Sequence, residues 1–205
     1  MRFMGAAGVA LRHFRQSAYT RYGAGFPGIC KFLYYSLFRV NTFIVFSCGR
    51  GETSKPDMPV ELRIVRGDHH QLGLVRGRYA LPGEFYCDLS HNVHDYFMGL
   101  WNEFPAYVHW IFPPGKASRF LELGPGCAEV NYMLTLPDYR GRHLCSLILA
   151  CTIHELMAEN VQRIYCVVHD ANIASIKAVQ RSGFQEMQRV RSIGPFNFRI
   201  KVDAA

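Results

Sequence analysis

Apolar and charged positions alternate over Val60-Glu61-Leu62-Arg63-Ile64-Val65-Arg66, the pattern of a strand with one buried face. A richer apolar run, Ala128 to Leu136, ends at Pro137, whose missing backbone donor stops a strand. Tyr139-Arg140-Gly141-Arg142-His143 then opens a helix. From Leu144 the period lengthens: Leu144, Leu147, Ile148, Cys151, Leu156 and Met157 recur at helical spacing, with Glu155 and Glu159 on the other side. Arg163 to Val168 reads as a strand again, and a short helix leads to Gly183-Phe184.

Around this segment the pattern predicts further elements. Phe26 to Phe38 reads as a helix and Thr42 to Ser47 as a strand. Asp68 to Leu81 reads as a helix capped by Asp68 and weakened by Gly73 and Gly77. Asp95 to Asn102 and Ala106 to Phe112 form a hairpin across Asn102-Glu103-Phe104-Pro105. Two last strands, Glu186 to Arg191 and Phe196 to Val202, flank Gly194-Pro195. Residues 82–96 show no clear period. The sum is an α/β (α+β) chain with a mixed, mostly antiparallel sheet and helices on both faces. Residues 60–205 form its main domain, 49–59 a polar linker, and 1–48 a basic, aromatic-rich extension.

Charge sharpens that division. The formal net charge of +7 lies in residues 1–55, which hold eight Lys or Arg against Glu52, while the rest of the chain is balanced. A nucleic-acid-binding surface would spread basic residues over the folded body, so no nucleic acid partner is expected. For residues 1–25, with Arg2, Arg12, Arg15 and Arg21, three readings compete: a disordered or docking extension, a membrane-surface helix and an organellar transit peptide. Peripheral membrane contact through residues 1–48 follows from the second. Lys31 and Arg39 interrupt the apolar run at 26–48, which leaves it short of the roughly 20 residues a spanning helix needs.

Seven cysteines with no CxxC pair fit free thiols in a reducing compartment, and the opening segment has no convincing secretory signal. A cytoplasmic location is the expectation. Cys87, His91 and His94 have ligand-like spacing but no obvious fourth member, so no metal is expected.

The turn between the strand at 128–136 and the helix at 144 carries glycine and arginine ahead of free helical N–H groups, an arrangement that cradles anions. Pro137-Asp138-Tyr139-Arg140-Gly141, the helix, the strand Ile164 to Val168, Asp170-Ala171-Asn172-Ile173-Ala174-Ser175, and Ser182-Gly183-Phe184 follow one another in an order that resembles the GNAT N-acyltransferase superfamily. The resemblance covers the last two thirds of the chain and is strongest over residues 128–190. That superfamily's loop reads Arg or Gln, two free positions, Gly, one free position, then Gly or Ala. Here Arg140 opens the loop, and His143 and Cys145 replace its two small residues.

The resemblance implies a coenzyme A thioester, acetyl-CoA by default, as co-substrate. Pantetheine would lie along Leu134, Thr135 and Leu136, where the strands at 129–136 and 163–168 part. The pyrophosphate would rest over Arg140, Gly141, Arg142, His143, Leu144, Cys145 and Ser146 at the helix N-terminus. Asn172 caps the next helix and reaches the coenzyme, and Ser175 faces the same way. Glu129 is the first candidate base and His169 the second. Many relatives carry a tyrosine that protonates the leaving thiolate; its place here is Val179. The expected activity is N-acetyl transfer to a primary amine of a small molecule, with residues 68–126 setting acceptor specificity. Two alternatives stand beside it: a catalytically degenerate acyl-CoA-binding module, and a membrane-surface acyltransferase using a long acyl chain.

Overall fold

The computed structural model describes residues 26–38, 40–49, 51, 56–116, 118, 120–193 and 198–200. The basic segment 1–25 lies outside them, as do parts of the linker and of the strand expected at Phe196 to Val202. In chain order the elements are α1 (Phe26–Phe38), β1 (Val40–Gly49), β2 (Leu62–Arg66), α2 (His69–Arg78), a 3-10 turn (Gly83–Tyr86), α3 (Cys87–His91), β3 (Tyr96–Trp101) and β4 (Phe104–Phe112). Then come β5 (Cys127–Thr135), a second 3-10 turn (Pro137–Tyr139), α4 (Leu144–Ala158), β6 (Arg163–His169), α5 (Ile173–Arg181), β7 (Gln185–Ile193) and β8 (Phe198–Ile200).

The described residues divide into two compact units, one between 43 and 189 and one made of residues from 26–42 with 190–193 and 198–200. The smaller unit contains α1 and the antiparallel ladder of β7 with β8, Arg191 opposite Ile200 and Ile193 opposite Phe198. In the larger unit the strands run in the order β2-β3-β4-β5-β6-β1. All neighbours are antiparallel except β5 and β6, which run parallel because α4 carries the chain back between them. No helix among the described residues is long and apolar enough to cross a membrane.

Each face of this sheet buries a separate core. Leu144, Ile148, Leu149, Ile153 and Leu156 of α4 pack on Phe97, Tyr107, Val130 and Cys166. On the other face Leu72 and Val75 of α2, with Phe85 and Cys87, cover Met98, Leu100, Val108 and Trp110. The period-2 alternation along β3 and β4 therefore places apolar groups on both sides, and nearly every position of these strands is buried.

Local chemistry explains where the elements begin and end. Asp68 accepts the Gln71 N–H at 2.9 Å and starts α2, which stops at Arg78, ahead of the expected Leu81. The hairpin loop is two residues long, since Asn102 (φ 47°) and Glu103 (φ 65°) are both left-handed and Phe104 and Pro105 have joined β4. Residues 82–96, without a period of their own, form the 3-10 turn and α3, which Asn92 ends at φ 51°. The helix expected to open near Tyr139 begins at Leu144, because Gly141 (φ 80°) and His143 (φ 60°) both take left-handed conformations that a helix cannot include.

Gly99 of β3 lies directly beneath α4: a Cβ there would collide with Ile148 Cδ1 and meet Tyr107 Cβ at 3.4 Å. Replacing it with valine should lower stability by about 1–3 kcal/mol through overpacking, and alanine should cost less because only the end of Ile148 must move. Urea unfolding at constant m-value checks both.

Candidate active site

The site begins with one surplus residue. Val108 stands opposite Leu134 and Trp110 opposite Asn131, so β5 spends one residue more than β4 over this interval, a β-bulge. Tyr132 takes up the surplus at φ 52°, and the Asn131 side chain accepts the Tyr132 N–H at 2.9 Å. The parallel pairing of β5 with β6 runs from Cys127 opposite Arg163 to Val130 opposite Cys166 and ends there. Beyond it, β5 follows β4 and leaves β6.

A cleft of about 570 Å³ opens at that parting. Met133, Leu134 and Thr135 of β5 line it together with Tyr107 of β4, and Arg140, Gly141 and the first turn of α4 from His143 to Ser146 form the side that follows the strand. Asn172, Ala174, Ser175, Lys177, Ala178 and Arg181 bring in α5. Three lining residues are cationic, Arg140, Lys177 and Arg181, and none is acidic, so the cleft suits an anion. The first-turn N–H groups of Leu144, Cys145 and Ser146 have no carbonyl one turn back, and the first i−4 bond of α4 is Leu147 N–H to His143 O at 3.0 Å.

The Acetyltransferase (GNAT) family model matches residues 84–184, a span containing every residue that lines this cleft. These residues are a GNAT acetyltransferase domain. Among solved structures the chain resembles a GNAT-family acetyltransferase from Colwellia psychrerythraea (TM-score 0.54, 12% identity, 79% of this chain and 59% of that one). It also resembles a GCN5-related N-acetyltransferase from Sphaerobacter thermophilus (0.52, 11%, 81% and 55%). A third likeness is to the GCN5-related glucosamine N-acetyltransferase region of a fungal multi-domain GH3 β-N-acetylglucosaminidase (0.56, 13%, 74% and 20%). At these identities the likeness is one of fold, and the chain spans less than two thirds of the length of each structure. No curated protein matches the sequence.

Ten residues expected from the GNAT resemblance to meet the coenzyme line the cleft: Leu134, Thr135, Arg140, Gly141, His143, Leu144, Cys145, Ser146, Asn172 and Ser175. Leu136 and Arg142 do not. Leu136 spends its N–H on Ala106 O at 2.9 Å, and the Arg142 guanidinium lies over the rings of Trp101 (5.0 Å) and Tyr139 (5.8 Å). Asn172 caps α5 by accepting the Ser175 N–H at 3.2 Å, which leaves its amide N–H groups for a ligand.

Neither candidate base lines the cleft. Glu129 precedes Met133 on β5 and is fully buried; its Oε1 accepts from Asn131 at 3.3 Å and its Oε2 has no partner among the described residues. Burial raises its carboxyl above the usual range, opposed by the Ser118 hydroxyl. His169 ends β6 with Nδ1 accepting the Ala171 N–H at 3.0 Å beside Asp170, and its ring meets Phe43 edge-on. Val179, at the GNAT tyrosine's place, is buried.

A buried polar chain that no local pattern announces lies beneath the cleft. Thr152 donates its single hydroxyl proton to Ile148 O at 2.8 Å, so the 3.1 Å contact with His109 must be a donation from the His109 Nε2–H. His109 Nδ1 is then an acceptor, and the Tyr107 hydroxyl 3.1 Å away donates to it. The Cys145 thiol, 3.6 Å from the same oxygen, completes the series as a donor. Burial pushes His109 down to about 3 and the Cys145 thiol up to about 11, so every member stays uncharged at neutral pH. The positions alternate on β4 and recur on α4, but only the register of β4 on β5 and the packing of α4 bring them together.

Unfolding frees His109 to titrate near 6.5. Between that value and about 3 the unfolded chain binds a proton that the folded chain refuses, so stability falls on acidification, by about 1.4 kcal/mol per pH unit. Glu129, raised in the fold, acts oppositely: it favours folding at low pH and loses that contribution as pH rises through its folded value. A His109→Gln variant should show a shallower decline between pH 6 and 4 in denaturant titrations, whatever its stability at pH 7.

Proposed function

We propose that the protein is an N-acyltransferase that moves an acetyl group from acetyl-CoA to a primary amine of a small molecule. The observation that carries this reading is the parting of β5 from β6 beyond Val130, which opens onto a cationic cleft ended by the free N–H groups of α4. The exposed edge of β5 at Met133 to Thr135 suits the amides of a pantetheine arm, which pair as an added strand would. The left-handed turn at Gly141 and the first turn of α4 suit the diphosphate.

In this reading a neutral amine attacks the thioester carbon, a C–N bond forms, and the C–S electrons leave with the thiolate. Alignment along β5 and a backbone donor beside Leu134 supply most of the acceleration. Glu129, buried and outside the cleft lining, takes the amine's proton through an intervening water, its carboxyl raised by burial and its Oε2 without a partner among the described residues. The thiolate takes its proton from water, because Val179 offers none.

Thiol release from acetyl-CoA against pools of small amines tests the activity. A side chain at Gly141 would be strained at φ 80°, so Gly141→Val should raise the KM for acetyl-CoA about tenfold, near 1.4 kcal/mol, without changing the fold. Glu129→Gln should lower kcat by roughly 10²-fold and leave that KM unchanged.

The buried Val179 motivates a second reading, a module that binds acyl-CoA without turning it over. Coenzyme binding by calorimetry with no thiol release from any amine pool would decide for it. The exposed Phe26 and Tyr34 of α1 motivate the third, a membrane-surface enzyme using long acyl chains. Equal liposome flotation with and without residues 1–48 would remove it.

A further inference from the structure

The cleft carries more positive charge than a diphosphate on the loop requires. A diphosphate diester bears two charges, and the loop meets them with the α4 N–H groups and with Arg140, whose Nε is tethered to Thr135 O at 3.3 Å. Arg142 is drawn away onto Trp101. Lys177 and Arg181 nevertheless stand one turn apart on α5, both lining the cleft, and no carboxylate pairs with either among the described residues. Two unpaired cations on one side of a concave surface repel each other until an anion joins them.

His143 sets the geometry of this pair. It occupies a loop position where a small residue was expected, at φ 60°, and its Nδ1 lies 2.6 Å from Arg181 Nη1. Arginine carries donors only, so Nδ1 is the acceptor in this contact. One guanidinium proton is spent on His143, and the donors that remain belong to a side chain that lines the cleft. The side chain that departs from the expected loop therefore orients an arginine for a planar, bidentate contact, the geometry that suits a phosphate.

We propose that Arg181, positioned by His143 and joined by Lys177, forms a phosphomonoester subsite that recognises the ribose 3′-phosphate of coenzyme A. The inference rests on the coenzyme A reading of the cleft. A phosphate monoester carries close to two charges at neutral pH, matching the two cations that the diphosphate leaves unused.

Calorimetric titration with coenzyme A and with 3′-dephospho-coenzyme A tests it. The wild-type protein should bind the phosphorylated form at least tenfold more tightly. Arg181→Ala should bring the ratio close to one by weakening coenzyme A alone, and its unchanged affinity for the dephospho form serves as the control for folding. Arg181→Lys keeps the charge without the fork and should restore the ratio only in part. His143→Gly, which relieves the left-handed strain while releasing Arg181, should reduce the ratio severalfold. Equal wild-type affinities, or a ratio indifferent to Arg181→Ala, would overturn the subsite while leaving the coenzyme reading intact. Failure of the wild-type protein to bind either compound would overturn both.

Discussion

The site depends on a single surplus residue in β5. A strand in register with both neighbours would spend all its backbone groups on them, and β5 would pass between β4 and β6 as an ordinary interior strand. The bulge at Tyr132 keeps β5 on β4 and ends its pairing with β6 at Val130 and Cys166. The cleft, the exposed strand edge and the approach to α4 all follow from that parting. Asn131 helps to make it inexpensive, since its side chain takes the Tyr132 N–H within the irregular backbone.

Beneath the bulge the molecule is built to stay neutral. Tyr107, His109 and Thr152 lie between β4 and α4 in an apolar setting where a charge would cost several kcal/mol, and each donor finds an acceptor. The chain ends at Ile148 O, inside α4 and away from solvent, so it does not serve as a route for protons. Its effect is mechanical: it joins the first turn of α4, through Cys145, to the strand that lies alongside the bulge. The loop ahead of α4 and the strand edge that lines the cleft are thereby held as one body.

The order strand, loop, helix, strand, helix was legible in the sequence because each element declares its own period and is punctuated by Pro137, Gly141 and Gly183. The ten cleft-lining residues expected to face the coenzyme share that legibility, since they lie at the end of a strand, on the loop that follows it or at the start of a helix. What escaped reading depends on contacts between distant segments. Tyr107 reaches the cleft only through the register of β4 on β5. Arg142 leaves it because Trp101, far away in sequence, offers an aromatic face. Lys177 and Arg181 read as ordinary polar positions of a short helix, and only the turn before α4 reveals what they face. α4 starts later than the pattern predicts for a local reason, since the left-handed His143 is not a conformation its side chain announces.

The two departures from the GNAT loop pattern now have different physical meanings. Cys145 turns inward, gives its thiol to Tyr107, and is held protonated by burial, so it serves the core. His143 turns outward to Arg181 and changes what the rim of the cleft can recognise. A glycine there would leave a backbone open to close approach; the histidine instead brings a guanidinium from another helix to the loop. The same single position thus exchanges backbone access for side-chain charge, and a ligand with a second phosphate gains more from that exchange than one without.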